Sequence, residues 1–282
     1  MENFDRQYRL TLGDYTLGAA TEDQPIPLRI SFSLQKTDLE AGNTGRLSVY
    51  NLGPVHLSAL DRTDCPVSLR AGYGNRLPLI FSGTVSFAST AAEGADRRTD
   101  IEAVDQLPAL RDAYLSLSYS GSVSWRTILD DAANRMGVAV RYSYNAAFTD
   151  APRGFSYVGK AAGILTRGCG CCGLVWSIQN GVLQIKRPGD VMRREVYVLS
   201  PETGLLGSPE RVAVNAGEDG GETRLGWDAE YFLNGAITVD DYVYLQSRAA
   251  TGYFRVYSVE YTGDNLGGDW KCRARLLEVE SG

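Results

Sequence analysis

The chain has 282 residues, 44% of them hydrophobic and 22% charged, which is a globular composition without a disorder signature. A net charge of −6 and a pI near 5.0 argue against a generic grip on a nucleic-acid backbone, which needs a basic face. Passive contact with nucleic acid inside a channel stays open.

Met1–Leu12 is polar and lacks the charged-then-apolar order of a signal peptide. No apolar run reaches the roughly 18 residues of a membrane-spanning helix. The five cysteines, three of them at 169–172, read as reduced thiols, so assembly is expected in a reducing cytoplasm. Sixteen Tyr and thirty-one Gly favour strands and turns.

In chain order, Arg6–Leu12 alternates weakly as a first strand and Thr21–Pro27 is a loop. Leu28, Ile30, Phe32 and Leu34 share one face of a strand; Arg46–Leu52 forms another, and Val55–Leu60 a single helical turn. Val67–Ala71, Phe81–Phe87 and a return strand with Ile101 and Ala103 predict a three-stranded meander. The character changes near Leu107. Trp125, Ile128, Leu129, Ala132, Ala133 and Met136 recur at helical spacing, with Ser122 or Ser124 as N-cap and Gly137 past the end. Val138–Tyr144 reads as a strand, Gly159–Cys172 as a second helix, and Leu174–Ile178 with Val182–Lys186 as a hairpin turned by Asn180-Gly181. From Val191 the pattern is β again: Glu195–Leu199, Arg211–Val214, Thr223–Leu233 and a closing meander within Leu233–Glu280.

The expected fold class is therefore mainly β, with an α+β insertion: a β domain over 1–107, an inserted domain over 108–190 and a second β domain over 191–282. The two β parts echo each other. Val67-x-Leu69 answers Val243-x-Leu245, Phe81–Phe87 answers Phe254–Val259, and Ile101-x-Ala103 answers Cys272-x-Ala274.

Gly168, Gly170 and Gly173 satisfy the dinucleotide-binding glycine spacing, but a helix precedes them and a strand follows, the reverse of the order phosphate binding needs. Cys169 and Cys172 form a C-x-x-C pair without a second pair, so they read as small residues on an apolar helix face. The single histidine, His56, stands in a turn without a nucleophile motif. Asp130–Asp131 and Asp240–Asp241 are adjacent, so they point apart and read as solvated charge. Arg97-Arg98 and Arg193-Arg194 read as rim contacts. No catalytic, cofactor-binding or metal residue is assigned.

Several stretches together resemble the baseplate central hub proteins of tailed phages and phage-tail-like particles. They are Leu28-Arg-Ile-Ser-Phe-Ser-Leu-Gln-Lys36, Arg46-Leu-Ser-Val-Tyr-Asn-Leu52, Val67-Ser-Leu-Arg-Ala-Gly-Tyr73 and Ile80-Phe-Ser-Gly83. Thr203-Gly-Leu-Leu-Gly-Ser-Pro-Glu210 is similar to the linker before that family's second module, and Tyr253-Phe-Arg-Val-Tyr-Ser-Val259, Gly263-Asp264 and Trp270 to its end. The chain departs from the family at Val239-Asp240-Asp241, where Pro-Gly-Asp is common.

The resemblance implies two tube-like β-barrel domains per chain, a homotrimer with pseudo-six-fold symmetry, and a role joining the tail tube protein to the central spike protein around a channel. Other baseplate or tape-measure components are expected partners, in a virion tail, with neither sequence-specific nucleic-acid binding nor a membrane segment. An enzymatic role is not expected, and no cofactor. The competing readings are a tail-associated peptidoglycan hydrolase and a carbohydrate-binding β protein using Trp227, Trp270 and the tyrosines as stacking platforms.

Overall fold

The computed structural model describes residues 5–18, 27–40, 42–105, 110, 112–215 and 223–279. Residues 21–26 of the first expected loop, and the change of character at Leu107, lie outside them.

The chain is mainly β. The first stretch supplies β1 (Arg6–Leu12), β2 (Tyr15–Leu17), β3 (Ile30–Thr37), β4 (Thr44–Tyr50), helix α1 (Pro54–Leu60), β5 (Pro66–Tyr73), β6 (Leu79–Glu93) and β7 (Asp96–Val104). The middle supplies β8 (Tyr114–Ser118), α2 (Trp125–Met136), β9 (Ala139–Tyr142), β10 (Ser156–Lys160), α3 (Ala161–Cys171), β11 (Val175–Gln179) and β12 (Val182–Lys186). The last stretch gives β13 (Val196–Leu199), a 3₁₀ turn over Pro201–Thr203, β14 (Leu205–Asn215), β15 (Thr223–Phe232), β16 (Tyr242–Gln246), β17 (Thr251–Asp264) and β18 (Trp270–Glu278).

Both expected meanders form, β5-β6-β7 and β16-β17-β18. They belong to a single 13-stranded sheet running β14-β15-β18-β17-β3-β4-β7-β6-β5-β1-β2, with β16 on β17 and β13 on β16. The join is an antiparallel seam between β17 and β3, from Ser258 opposite Thr37 to Asp264 opposite Ser31. Across it the inward faces share one core, in which Leu34, Leu47 and Ile101 pack with Tyr231, Tyr261 and Trp270.

The repeat is topological as well as sequential. The strand order β3-β4-β7-β6-β5 is matched by β14-β15-β18-β17-β16. Each long strand carries a bulge at the corresponding place, between Val85 and Phe87 on β6 and between Val256 and Ser258 on β17. Following the registers outward from these bulges sets Val67 with Val243 and Leu69 with Leu245, as the sequence suggests. On the last strand they set Ile101 with Ala274 rather than Cys272, a shift of two residues. Such a shift preserves the inward face, so alternation alone cannot detect it.

The middle stretch has its own core, built by Trp125, Ile128, Leu129, Ala132 and Ala133 of α2 against Ile164, Leu165 and Cys169 of α3. The α2 helix begins where expected: the Ser124 hydroxyl accepts from the Thr127 N–H, and Gly137 ends it at φ +67°. The Asn180-Gly181 turn has positive φ at both residues (52° and 78°), which the tight hairpin between β11 and β12 requires. Three pairings carry no local signal: β8 with β10, and the parallel pairs β9 with β12 and β13 with β16.

Candidate functional surface: the polar sheet face and its junction

Alternation gives the large sheet one apolar and one polar face. On the central strands the polar face presents Ser31, Ser33 and Gln35 of β3, Arg46 and Ser48 of β4, Asp100 and Glu102 of β7, and Glu260, Thr262 and Asp264 of β17. Their neighbours Phe32, Leu34, Leu47, Ile101, Val259 and Tyr261 are buried on the other face.

This face is charge-paired rather than uniformly acidic. Arg46 meets Glu102 at 3.4 Å, Lys271 meets Glu230 at 3.3 Å, and Arg273 donates to Asp228 at 2.8 Å. Arg29 donates to Asp264 at 2.8 Å, and this bond holds the Asp264 carboxyl below its ordinary range against the opposing cost of burial. Cations matched to local carboxylates have little to offer a phosphate backbone. The central strands thus present an extended polar surface on which Arg46, Lys271, Arg273 and Arg29 are each matched to a carboxylate.

Two polar clusters lock the middle stretch onto the sheet. In the first, Asp105 accepts from the Asn180 and Gly181 N–H groups at the hairpin tip and from Asn43 Nδ2. The Gln179 amide donates to the Thr37 carbonyl at 2.8 Å, and Lys36 donates to Asn180 Oδ1. Burial pushes Asp105 up to about 6 and Lys36 down to about 8, each partly offset by the other's charge.

In the second cluster, Asp240 Oδ1 accepts from both Lys186 Nζ and Arg255 Nη1, while Arg255 also donates to Asp38 at 2.7 Å. Burial raises the Asp240 carboxyl, and the two cations oppose that rise. Two acids and two bases are closed together, which is how buried charge is tolerated.

The departure from Pro-Gly-Asp falls at this cluster. Asp240 takes φ +65°, the left-handed conformation that glycine adopts without strain. Asp240 holds this conformation and contributes the carboxylate at the centre of the cluster. Asp240 and Asp241 are 0% and 1% exposed, so the expectation of solvated charge is wrong for this pair. Asp241 accepts from the Thr238 N–H and faces Arg193 at 3.6 Å, with its carboxyl pushed by burial to about 6. The sequence offered no signal for this, because the partner cations lie far away in the chain.

The remaining candidates have structural surroundings. Cys169 is buried in the middle core, Cys171 is exposed, and Cys172, just past the end of α3, is half-buried rather than fully on the apolar face. Asp130 and Asp131 accept from the hydroxyls of Tyr142 and Tyr119 at 2.6 and 2.5 Å. His56 stacks edge-on with Tyr15, their centroids 5.4 Å apart. Trp270 is 3% exposed and meets Phe32 edge-to-face, and Trp227 packs on the core under Arg211, so neither is an open stacking platform. Arg97 and Arg98 do lie at an open margin, on β7 beside the exposed half of β6.

This architecture is shared with phage tail proteins and a tail-like secretion component. A tail protein of Neisseria meningitidis MC58 superposes with a TM-score of 0.64 at 9% identity, over 98% of this chain and 97% of that one. The 43 kDa tail protein of prophage MuSo2 from Shewanella oneidensis gives 0.61 at 10% identity, over 97% and 98%. A type VI secretion component of Escherichia coli, described as structurally similar to the T4 tail proteins gp27 and gp5, gives 0.60 at 7% identity, over 95% and 76%. No protein-family model and no curated sequence matches the chain. The chain therefore has the fold of phage-tail-like proteins.

Proposed function

We propose that the protein is the structural hub of a phage tail or tail-like particle, a homotrimer that joins the tail tube to the central spike around a channel. In this reading residues 1–107 and 191–282 are the two tube-like domains, and 108–190 is the inserted domain. The observation that carries it is the matched strand order and matched bulge of the two β parts within one sheet. A repeated unit in each of three chains supplies six equivalent units, which allows one ring to meet a six-fold tube on one side and a three-fold spike on the other. The charge-paired polar face is the channel lining, where matched cations let a nucleic acid pass without being held. The role is mechanical, not enzymatic, and it is exercised in the virion tail after assembly in the bacterial cytoplasm.

The test is native mass measurement of the full chain alone and with tube or spike protein, followed by imaging of the particle. A ring of three copies that binds both partners is expected. A chain that stays monomeric and binds neither overturns the proposal.

A further inference from the structure

The β3–β17 seam has a counterpart that a single chain leaves open. On β17 the residues past the bulge are covered: Val259 and Tyr261 are 0% exposed because β3 pairs there. Among the described residues the equivalent half of β6, from Phe87 to Glu93, pairs with β7 alone, and six of its seven residues are exposed. The strand equivalent to β3 is β14, which among the described residues pairs with β15 alone. One chain thus contains one closed seam and the two separate halves of a second.

We propose that β14 of one copy pairs antiparallel with the outer half of β6 of a second copy, in the register of the β3–β17 seam. Transferring that register sets Phe87 opposite Val214, Ser89 opposite Val212 and Ala91 opposite Glu210. The occupant is a second copy because the chain already makes this joint internally, and the open edges are its two missing sides. The joint is head-to-tail, so it closes into a ring when the rotation is right.

Side chains at the edges fit the assignment. Phe87 on β6 and Leu225, the β15 partner of Ala213, are 58% and 60% exposed, and both would be covered. Glu210 carries no ion pair among the described residues, and Ala91, the residue set opposite it, has Arg98 as its β7 partner. The small Ala91 leaves Arg98, which already pairs with Glu93 at 2.7 Å and Asp100 at 3.0 Å, a path to add that carboxylate across the joint. Long bare edges are otherwise an aggregation hazard, and mutual pairing removes both.

This inference rests on the trimeric hub reading, and its test separates the two. The full chain is made with Cys171→Ser and Cys172→Ser, then with Ala91→Cys and Glu210→Cys, both at exposed positions. Mild oxidation is expected to give covalent dimers and closed trimers. Phe87→Cys with Glu210→Cys, four residues out of register, is expected to give at least tenfold less. Ser89→Cys with Val212→Cys repeats the in-register test at a second position. A native trimer in which neither in-register pair cross-links above the offset pair overturns the seam and leaves the hub reading standing. A chain that is monomeric with and without tube and spike protein overturns both.

Discussion

Lys186 and Asp240 meet in a salt bridge that joins the end of the inserted hairpin to a turn of the last β stretch, with exposures of 2% and 0%. Removing one partner leaves the other's charge buried and short of its match. Lys186→Met is therefore expected to cost about 3 kcal/mol in urea unfolding. Adding Asp240→Asn should recover most of that loss, because the remaining pair, Arg255 and Asp38, is neutral. A double variant no better than the single would show that the lysine acts through packing alone.

The backbone at Asp240 is tested separately. Asp240→Gly removes the carboxylate and keeps easy access to φ +65°, while Asp240→Ala removes it and adds left-handed strain. The alanine variant should be less stable than the glycine variant by about 1 kcal/mol. Equal stabilities would mean that the turn relaxes.

Asp105 and Asp241 give a pH dependence of defined sign. Both carboxyls are raised to about 6 in the folded chain, so between about pH 4 and 6 the folded state holds protons that the unfolded state has lost. Their contribution is present at low pH and is lost as pH rises through 6. Lys36, lowered to about 8, acts in the alkaline range: its contribution is present above its ordinary value near 10.5 and is lost as pH falls through 8. Unfolding free energy measured from pH 4 to 7 in the parent and in Asp105→Asn should show a shallower fall in stability with rising pH in the variant. An unchanged slope would remove Asp105 from this account.

Gly263 stands opposite Phe32 at the internal seam, and a Cβ there would lie 2.4 Å from the Phe32 ring and 2.7 Å from Trp270. Neither ring has room to move in the core. Gly263→Ala should destabilise by about 1–3 kcal/mol through overpacking. Thermal unfolding reads the loss, and a neutral variant would mean that the seam is loosely packed.

The thiols should separate by burial. Cys169 and Cys272 are pushed to about 12, so little thiolate exists near neutral pH, and Cys65 is buried as well. In the native chain Cys171 is expected to react with a thiol reagent in seconds to minutes, with Cys172 following. The other three should react only on unfolding. Fast labelling of Cys272 would contradict the closed core around it.

Features written in short-range pattern were legible. The α2 cap at Ser124, the Asn180-Gly181 hairpin and both meanders follow from neighbours within a few residues. In the glycine run at 168–173, Gly168 and Gly170 lie inside α3 and the strand β11 follows. Long-range pairing was not legible. Nothing in Ile30–Thr37 names Ser258–Asp264 as its partner, because alternation says which face a residue takes and not which strand lies beside it. Thr203–Glu210 read as a linker, yet Leu205 and Leu206 already pair with Tyr231 and Glu230 in β14. Its Gly-Ser-Pro stretch lies inside the irregularity before Glu210, and this is why local composition resembled a connection. The burial of the acids at 240 and 241 was illegible for a related reason: it depends on Lys186, Arg193 and Arg255, which only the fold brings near.

The internal seam also bears on how the protein is made. Residues 31–37 leave the ribosome long before their partners 258–264. Until then β3 has β4 on one side and nothing on the other, and the shared core lacks Tyr261 and Trp270. Non-local strand pairing of this kind folds slowly, because the loop must be closed before any contact rewards it. The nascent first half therefore waits with an exposed margin, open to the wrong chain on a crowded polysome. Synthesis of β17 becomes the event that fills this edge, so a product truncated before residue 258 would carry an unfilled edge rather than a usable half.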